Sequence, residues 1–102
     1  MNPLLSRKAI HGEKMTLARI DLRRGAVVAM HSHPSEQLSI VESGRLHYEV
    51  DGEEAAAQSG DMILIPSGAP HTVEALEDSI VLDIFAPVRE DWRRGDDAYL
   101  RR

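Results

Sequence analysis

The sequence contains no cysteine. That absence removes disulfides, thiolate nucleophiles and thiolate-held metals together, so any metal ion must be bound by nitrogen and oxygen donors. A long apolar run is also missing. Met1 to Ile10 carries Arg7 and Lys8 and does not read as a signal peptide. No stretch approaches the roughly 20 apolar residues of a membrane-spanning helix. The expectation is a cytoplasmic protein with no membrane partner. A clustered basic face is lacking too. The formal net charge is -5, and the pairs Arg23-Arg24, Arg93-Arg94 and Arg101-Arg102 are scattered among acids. Phosphate binding needs concentrated positive charge, so nucleic acid is not an expected partner. Helical periodicity is absent between residues 13 and 87, and Ala55-Ala56-Ala57 is too short to nucleate a helix. With 102 residues there is room for one domain, residues 1–102, and a core small enough to gain from a metal or a partner subunit.

What remains is a series of short alternating runs between turn signals. Arg24-Gly25, Ser43-Gly44, Asp51-Gly52, Ser59-Gly60 and Pro66-Ser67-Gly68 mark the turns. Between them lie Met15 to Leu22, Val27 to Met30, Leu38 with Ile40, Leu46 to Val50, Met62 to Ile65 and Ile80 to Phe85. Short strands with close turns predict an all-β sandwich or barrel, here from about residue 13 to residue 87. An N-terminal arm precedes it. The tail, 88–102, with Trp92, Tyr99 and Leu100 among charges, reads as a short helix or an extended arm. Asp51-Gly52 is a tight-hairpin signal. Met30 and Met62 read as core packing.

Three of the five histidines lie in two compact segments. The first runs from Gly25 through His31-Ser32-His33-Pro34-Ser35-Glu36-Gln37 to Gly44. The second runs from Gly60 through Pro66-Ser67-Gly68 to His71. Residues two apart on a strand share a face, so His31 and His33 can offer two imidazoles to one ion. Gln37 can add a carbonyl oxygen after the Pro34-Ser35 bend, and the fold must return His71 to this pair. Glu36 can compete as a ligand but points to the opposite face if its segment is extended. Imidazole suits divalent zinc, nickel, iron and their neighbours. His11 lacks such a setting. His47 shares a polar strand face with Arg45 and Glu49 and reads as structural or exposed.

These segments resemble the two motifs of the cupin superfamily. The spacing matches throughout, with Gln37 where Glu is usual and Ala75 where Asn is usual. The resemblance implies a double-stranded β-helix, the jelly-roll barrel. It also implies one divalent metal ion per chain (zinc, nickel, manganese, iron or cobalt) at His31, His33, Gln37 and His71. Three longer pieces, His31 to Gln37, Ala75 to Phe85 and Pro87 to Trp92, are similar to the KdgF-type pectin-degradation cupins. That family is implied to convert 4,5-unsaturated monouronates to the linear keto form. Its pattern implies a His-His-Gln-His metal site and an Asp-x-Phe-x-x-x-Arg cluster, matched by Asp83, Phe85 and Arg89.

The residues support the cluster independently. In Ile80 to Phe85, Val81, Asp83 and Phe85 share one face while Ile80, Leu82 and Ile84 share the other. A carboxylate within an apolar strand is costly unless paired or functional, the other reading being a water-facing Asp at a sheet edge. Arg89 offers a planar fork suited to a carboxylate, as on a small acidic sugar-derived substrate. Asp83 would move the proton and Phe85 would wall the pocket. Two other readings share the site: a different cupin enzyme, such as a dioxygenase or lyase, or a non-catalytic sugar- or metal-binding module. A homodimer is expected, covered by Met15 to Leu22 and the Trp92 tail, because an isolated barrel exposes sheet edges.

Overall fold

The computed structural model describes residues 3–94. Nine strands run in chain order: β1 (Leu5–His11), β2 (Thr16–Leu22), β3 (Val27–His31), β4 (Glu36–Ser43), β5 (Arg45–Val50), β6 (Glu53–Gln58), β7 (Met62–Ile65), β8 (His71–Ala75) and β9 (Ser79–Ala86). One helical turn, α1 (Glu90–Arg93), follows. They form two sheets, one ordered β1-β2-β9-β4-β7 and the other β3-β8-β5-β6. Every pairing is antiparallel. Sequence neighbours β3 and β4 lie in different sheets, which makes this a jelly roll rather than a meander.

Side-chain alternation builds the core between the sheets. β2 buries Thr16, Ala18, Ile20 and Leu22 and exposes the residues between them. β9 buries Ser79, Val81, Asp83 and Phe85 in the same rhythm. The opposite sheet contributes Val28, Leu46, Tyr48, Val73 and Ala75. Two turns depend on glycine. Asp51 and Gly52, at φ 51° and 84°, give the β5–β6 hairpin its left-handed two-residue turn. Gly44, at φ 89°, joins β4 to β5 where an added Cβ would overlap Ser79 and the carbonyl of Asp78.

The sheet begins earlier than the sequence indicates. β1 pairs with β2 from Leu5↔Leu22 to His11↔Thr16, so residues before 13 are a strand, not an arm. β2 is therefore interior, between β1 and β9, so Met15 to Leu22, expected to help cover a sheet edge in a dimer, is already paired on both sides. Ala55 to Ala57 lie in the edge strand β6, held by pairing to β5. Met30 and Met62 are exposed, at 53% and 65%, and so are not core. Met62 stands on the outward row of β7 while Ile65 points in. Tyr99 and Leu100 lie outside the described residues. Among the described residues, no helix is long and apolar enough to cross a membrane.

Candidate metal centre and its surroundings

The register of β3 against β8 sets His31 directly opposite His71. His33 follows β3 in the turn to β4, and Gln37 points inward from β4 between Ile65 of β7 and Phe85 of β9. One ring nitrogen from each of His31, His33 and His71 lies within 4.8 Å of the others, close enough to hold a metal ion. The sequence pattern thus names three side chains that the fold does bring together.

The tautomers favour the same conclusion. His31 Nδ1 lies 2.8 Å from the Ala29 carbonyl, His33 Nδ1 2.8 Å from the Ser35 carbonyl, and His71 Nδ1 2.9 Å from the Ala69 carbonyl. A carbonyl only accepts, so each Nδ1 carries the proton and donates. Each Nε2 then carries the ring's lone pair, the usual arrangement behind metal-ligating imidazoles. Burial, partly countered by these hydrogen bonds, lowers the pKa of His31 and of His33 to about 4 and lowers that of His71. All three rings are therefore neutral at neutral pH. Gln37 Oε1 is 3.0 Å from His33 Nε2, which places an oxygen beside the imidazole donors. Three nitrogens and one amide oxygen, all neutral, match the donor chemistry of a first-row divalent ion.

Asp83 sits next to this group. β9 is the central strand of its sheet, which rules out a water-facing edge position, and Asp83 is 5% exposed. Ser39 Oγ donates a short hydrogen bond to Asp83, and Tyr48 Oη donates to Ser39 Oγ at 3.0 Å. Burial pushes the Asp83 carboxyl up to about 6, against the pull of Ser39, Gln37 and Arg89. It can thus both hold and release a proton near neutrality.

Arg89 is equally buried, with 2% of its side chain exposed. Its backbone N–H donates to Thr16 Oγ1 at 3.0 Å. Its guanidinium lies 4.8 Å from the Phe85 ring centre and 4.4 Å from that of Trp92. Asp91 fills the fork, accepting from Arg89 Nε at 2.9 Å and from a terminal nitrogen at 2.6 Å. Trp92, read from the sequence as a packing or dimer anchor, packs inside on Phe85. His47 stands apart, 3.3 Å from Glu54 and half-buried.

Two cavities meet here. A small one, about 40 Å³, is lined by His31, Gln37, His71, Asp83, Phe85, Arg89 and Trp92 among others. A larger cleft, about 440 Å³, lies between Ser32 to Ser35 and Pro87 to Arg94. His33 and Arg89 line the cleft, and Arg89 lines both cavities.

Sequence reasoning missed Ser39, Thr16 and Asp91. Ser39 carried a signal: it falls between Gln37 and Val41 on the inward face of β4, where a polar residue needs a partner. Asp91 carried none, since its role depends on how the chain turns after Val88.

Imidazoles converging inside a jelly roll, close enough together to hold a metal ion, point to a cupin. Residues 18–85 match the cupin domain model (Cupin_2), and the chain belongs to the cupin family. Within that family it is similar to KdgF from Halomonas sp., whose structure is 33% identical and superposes with a TM-score of 0.85, covering 90% of this chain and 86% of that one. An RmlC-like cupin from Shewanella frigidimarina is 28% identical with a TM-score of 0.85, covering 90% and 84%. The oxalate-binding protein of Thermotoga maritima is 29% identical over 75 residues, which make up 72% of this chain and 62% of that protein.

Proposed function

We propose that the protein is a metal-dependent enzyme that opens 4,5-unsaturated monouronates and converts them to the linear keto form. The observation that carries this reading is one buried, readily protonated carboxyl, Asp83, facing the same small cavity as the imidazoles and the guanidinium of Arg89. The likeness to KdgF supports it.

His31, His33, Gln37 and His71 would hold one divalent ion, which when bound supplies Lewis acidity toward a substrate oxygen. The rest is the work of the chain. The reaction moves protons without redox change. The hemiacetal hydroxyl loses its proton as the ring C1–O bond opens, which leaves an enolate on C5, and a proton delivered to C4 turns that enolate into the C5 ketone. A single carboxyl that accepts and returns a proton suffices, which is the task assigned to Asp83. Ser39, with Tyr48 behind it, fixes the orientation of that carboxyl. Arg89 takes the uronate carboxylate in its fork, where Asp91 now models a carboxylate in place. Phe85 and Trp92 hold the guanidinium plane and wall the pocket. The 40 Å³ cavity is too small for a sugar, so the substrate occupies the 440 Å³ cleft and reaches inward past Arg89.

The test is loss of the unsaturated-uronate absorbance with and without protein. Asp83→Asn keeps shape, removes the proton carrier and should lower turnover by roughly 10² to 10⁴ with metal retained. Wild-type turnover in that variant would refute the mechanism. A second reading, a binder of small carboxylates, is favoured by the relative from Thermotoga maritima, named as oxalate-binding. Binding without turnover would select it.

A further inference from the structure

The inward row of β1 carries two polar side chains, Arg7 and His11. It pairs with the buried row of β2 as Leu5↔Leu22, Arg7↔Ile20, Ala9↔Ala18 and His11↔Thr16. A polar group turned inward needs a partner, and the partners here lead to Arg89. Arg7 lies 4.2 Å from the centre of the Trp92 ring, against which the Arg89 guanidinium also rests at 4.4 Å. His11 Nδ1 lies 2.8 Å from Thr16 Oγ1, and the same oxygen accepts the Arg89 backbone N–H at 3.0 Å. Thr16 is wholly buried, with 0% exposed. A hydroxyl has one proton to donate and lone pairs to accept with. Shielded from water, Thr16 gives its proton to His11 Nδ1 and turns a lone pair to Arg89. The ladder of β9 ends close by, with Phe85 opposite Thr16 and Ala86 opposite Glu36. Pro87 then has no N–H to offer, and the N–H groups of Glu90 and Arg93 bond within the segment, to the carbonyls of Val88 and Arg89. The Thr16 hydroxyl therefore carries the hold of the sheet past the end of β9, as far as the arginine.

We propose that Thr16, oriented by His11, is a positioning residue for Arg89: it fixes the backbone from which the guanidinium reaches the site. The inference rests on the reading of Arg89 as the fork that takes the substrate carboxylate. A side chain that reaches a ligand from an irregular segment is only as well placed as its backbone. Arg89 lines both the 40 Å³ cavity and the 440 Å³ cleft, so a shift of its backbone moves the fork relative to the imidazoles and Asp83. The apparent affinity for an acid falls with the fraction of protein that has the arginine in place. Removing one hydrogen bond, and leaving a buried N–H without its acceptor, should lower that fraction about tenfold. Once bound, the acid meets the same Asp83 and the same imidazoles, so the chemical step is left as it was. Thr16 thus differs in task from Ser39, which orients the proton carrier and acts on turnover.

Steady-state kinetics on the full chain, with an unsaturated monouronate and its methyl ester, test it. Thr16→Val keeps the shape and removes the hydroxyl. It should raise KM for the acid about tenfold, leave kcat and metal content as in the wild type, and move KM for the ester much less. Thr16→Ser keeps a hydroxyl and should keep the wild-type KM. His11→Ala frees the Thr16 hydroxyl to turn and should raise KM for the acid about threefold. A wild-type KM for the acid in Thr16→Val or in His11→Ala would overturn the inference, and His11→Ala alone carries this arm if Thr16→Val does not fold. Equal losses on acid and ester, the mark of a merely structural role, would overturn it too. Amide hydrogen exchange supplies a readout that needs no substrate. The Arg89 amide should exchange about tenfold faster in Thr16→Val, with Val81 to Phe85 unchanged, and should recover in Thr16→Ser. Unaltered exchange at Arg89 would overturn the inference by itself. A wild type that never turns over the monouronate would refute the proposed function instead, and the exchange result would then decide whether Thr16 holds Arg89.

Discussion

Asp91→Asn is the most informative single change, because Asp91 holds the guanidinium that the proposed substrate needs. The substitution preserves size and removes charge. In the structure the two groups are joined by hydrogen bonds of 2.9 and 2.6 Å, with 2% of the arginine and 29% of the aspartate side chain exposed. Burial works against the charged form, yet the Arg89 hydrogen bonds and charge hold the Asp91 carboxyl below its ordinary value. A charge-assisted hydrogen bond contributes about 1.5–3 kcal/mol net. A neutral amide keeps at most one of the two accepted bonds, so the closed pair should weaken by at least about 1.4 kcal/mol, a tenfold change in its equilibrium. Substrate carboxylate competes with Asp91 for one site, so the apparent KM for an unsaturated monouronate should fall about tenfold with kcat little changed. The methyl ester of the same sugar, which lacks the charge, should show a much smaller shift. The buried arginine loses a partner, so thermal stability should drop by several degrees, at about 4–8 °C per kcal/mol for a domain of this size. Steady-state kinetics on acid and ester, with a melting curve for each protein, are the required measurements. An unchanged or raised KM for the acid alongside a lowered melting temperature would show that Asp91 only supports the fold. The carboxylate-fork reasoning would then be wrong.

His31→Ala or His71→Ala should remove most of the metal measured by elemental analysis, while His47→Ala, on the outside beside Glu54, should keep it. Gln37→Glu should retain metal but lower turnover, because an added negative charge weakens the Lewis acid. Arg89→Lys keeps charge but loses the fork, so it should chiefly raise KM in the same absorbance assay. Gly44→Ala must adopt φ 89° and displace Ser79 and Asp78, so thermal unfolding should show a loss of about 2 kcal/mol or more.

The fold was legible where strands bury one face. Thr16 to Leu22 and Ser79 to Ala86 alternate strictly, because every second residue meets the other sheet. β1 and β6 were not legible. Leu5–His11 buries a single residue fully and carries Arg7 and Lys8, and Glu53–Gln58 buries only Ala57. Both are held by pairing, which composition does not encode. At the site, the histidines and Gln37 declared themselves by spacing, and Asp83 by its cost on an apolar strand. Trp92 did not, since a lone aromatic among charges looks the same whether it faces outward or turns in to stack on Phe85. Met30 and Met62 misled for a related reason: hydrophobicity alone does not say which of two faces is buried.

The position of β9 has a dynamic consequence. Its backbone is hydrogen-bonded to β2 on one side and β4 on the other, so Asp83 and Phe85 stand on a strand that cannot open without breaking the sheet. Arg89 to Arg93 are anchored by one helical turn and a few side chains. Amide hydrogen exchange should therefore separate the two, with slow exchange through Val81 to Phe85 and fast exchange through Asp91 to Arg93. The strand that carries Asp83 is thus expected to hold its position more firmly than the turn of Arg89 to Arg93 beside it.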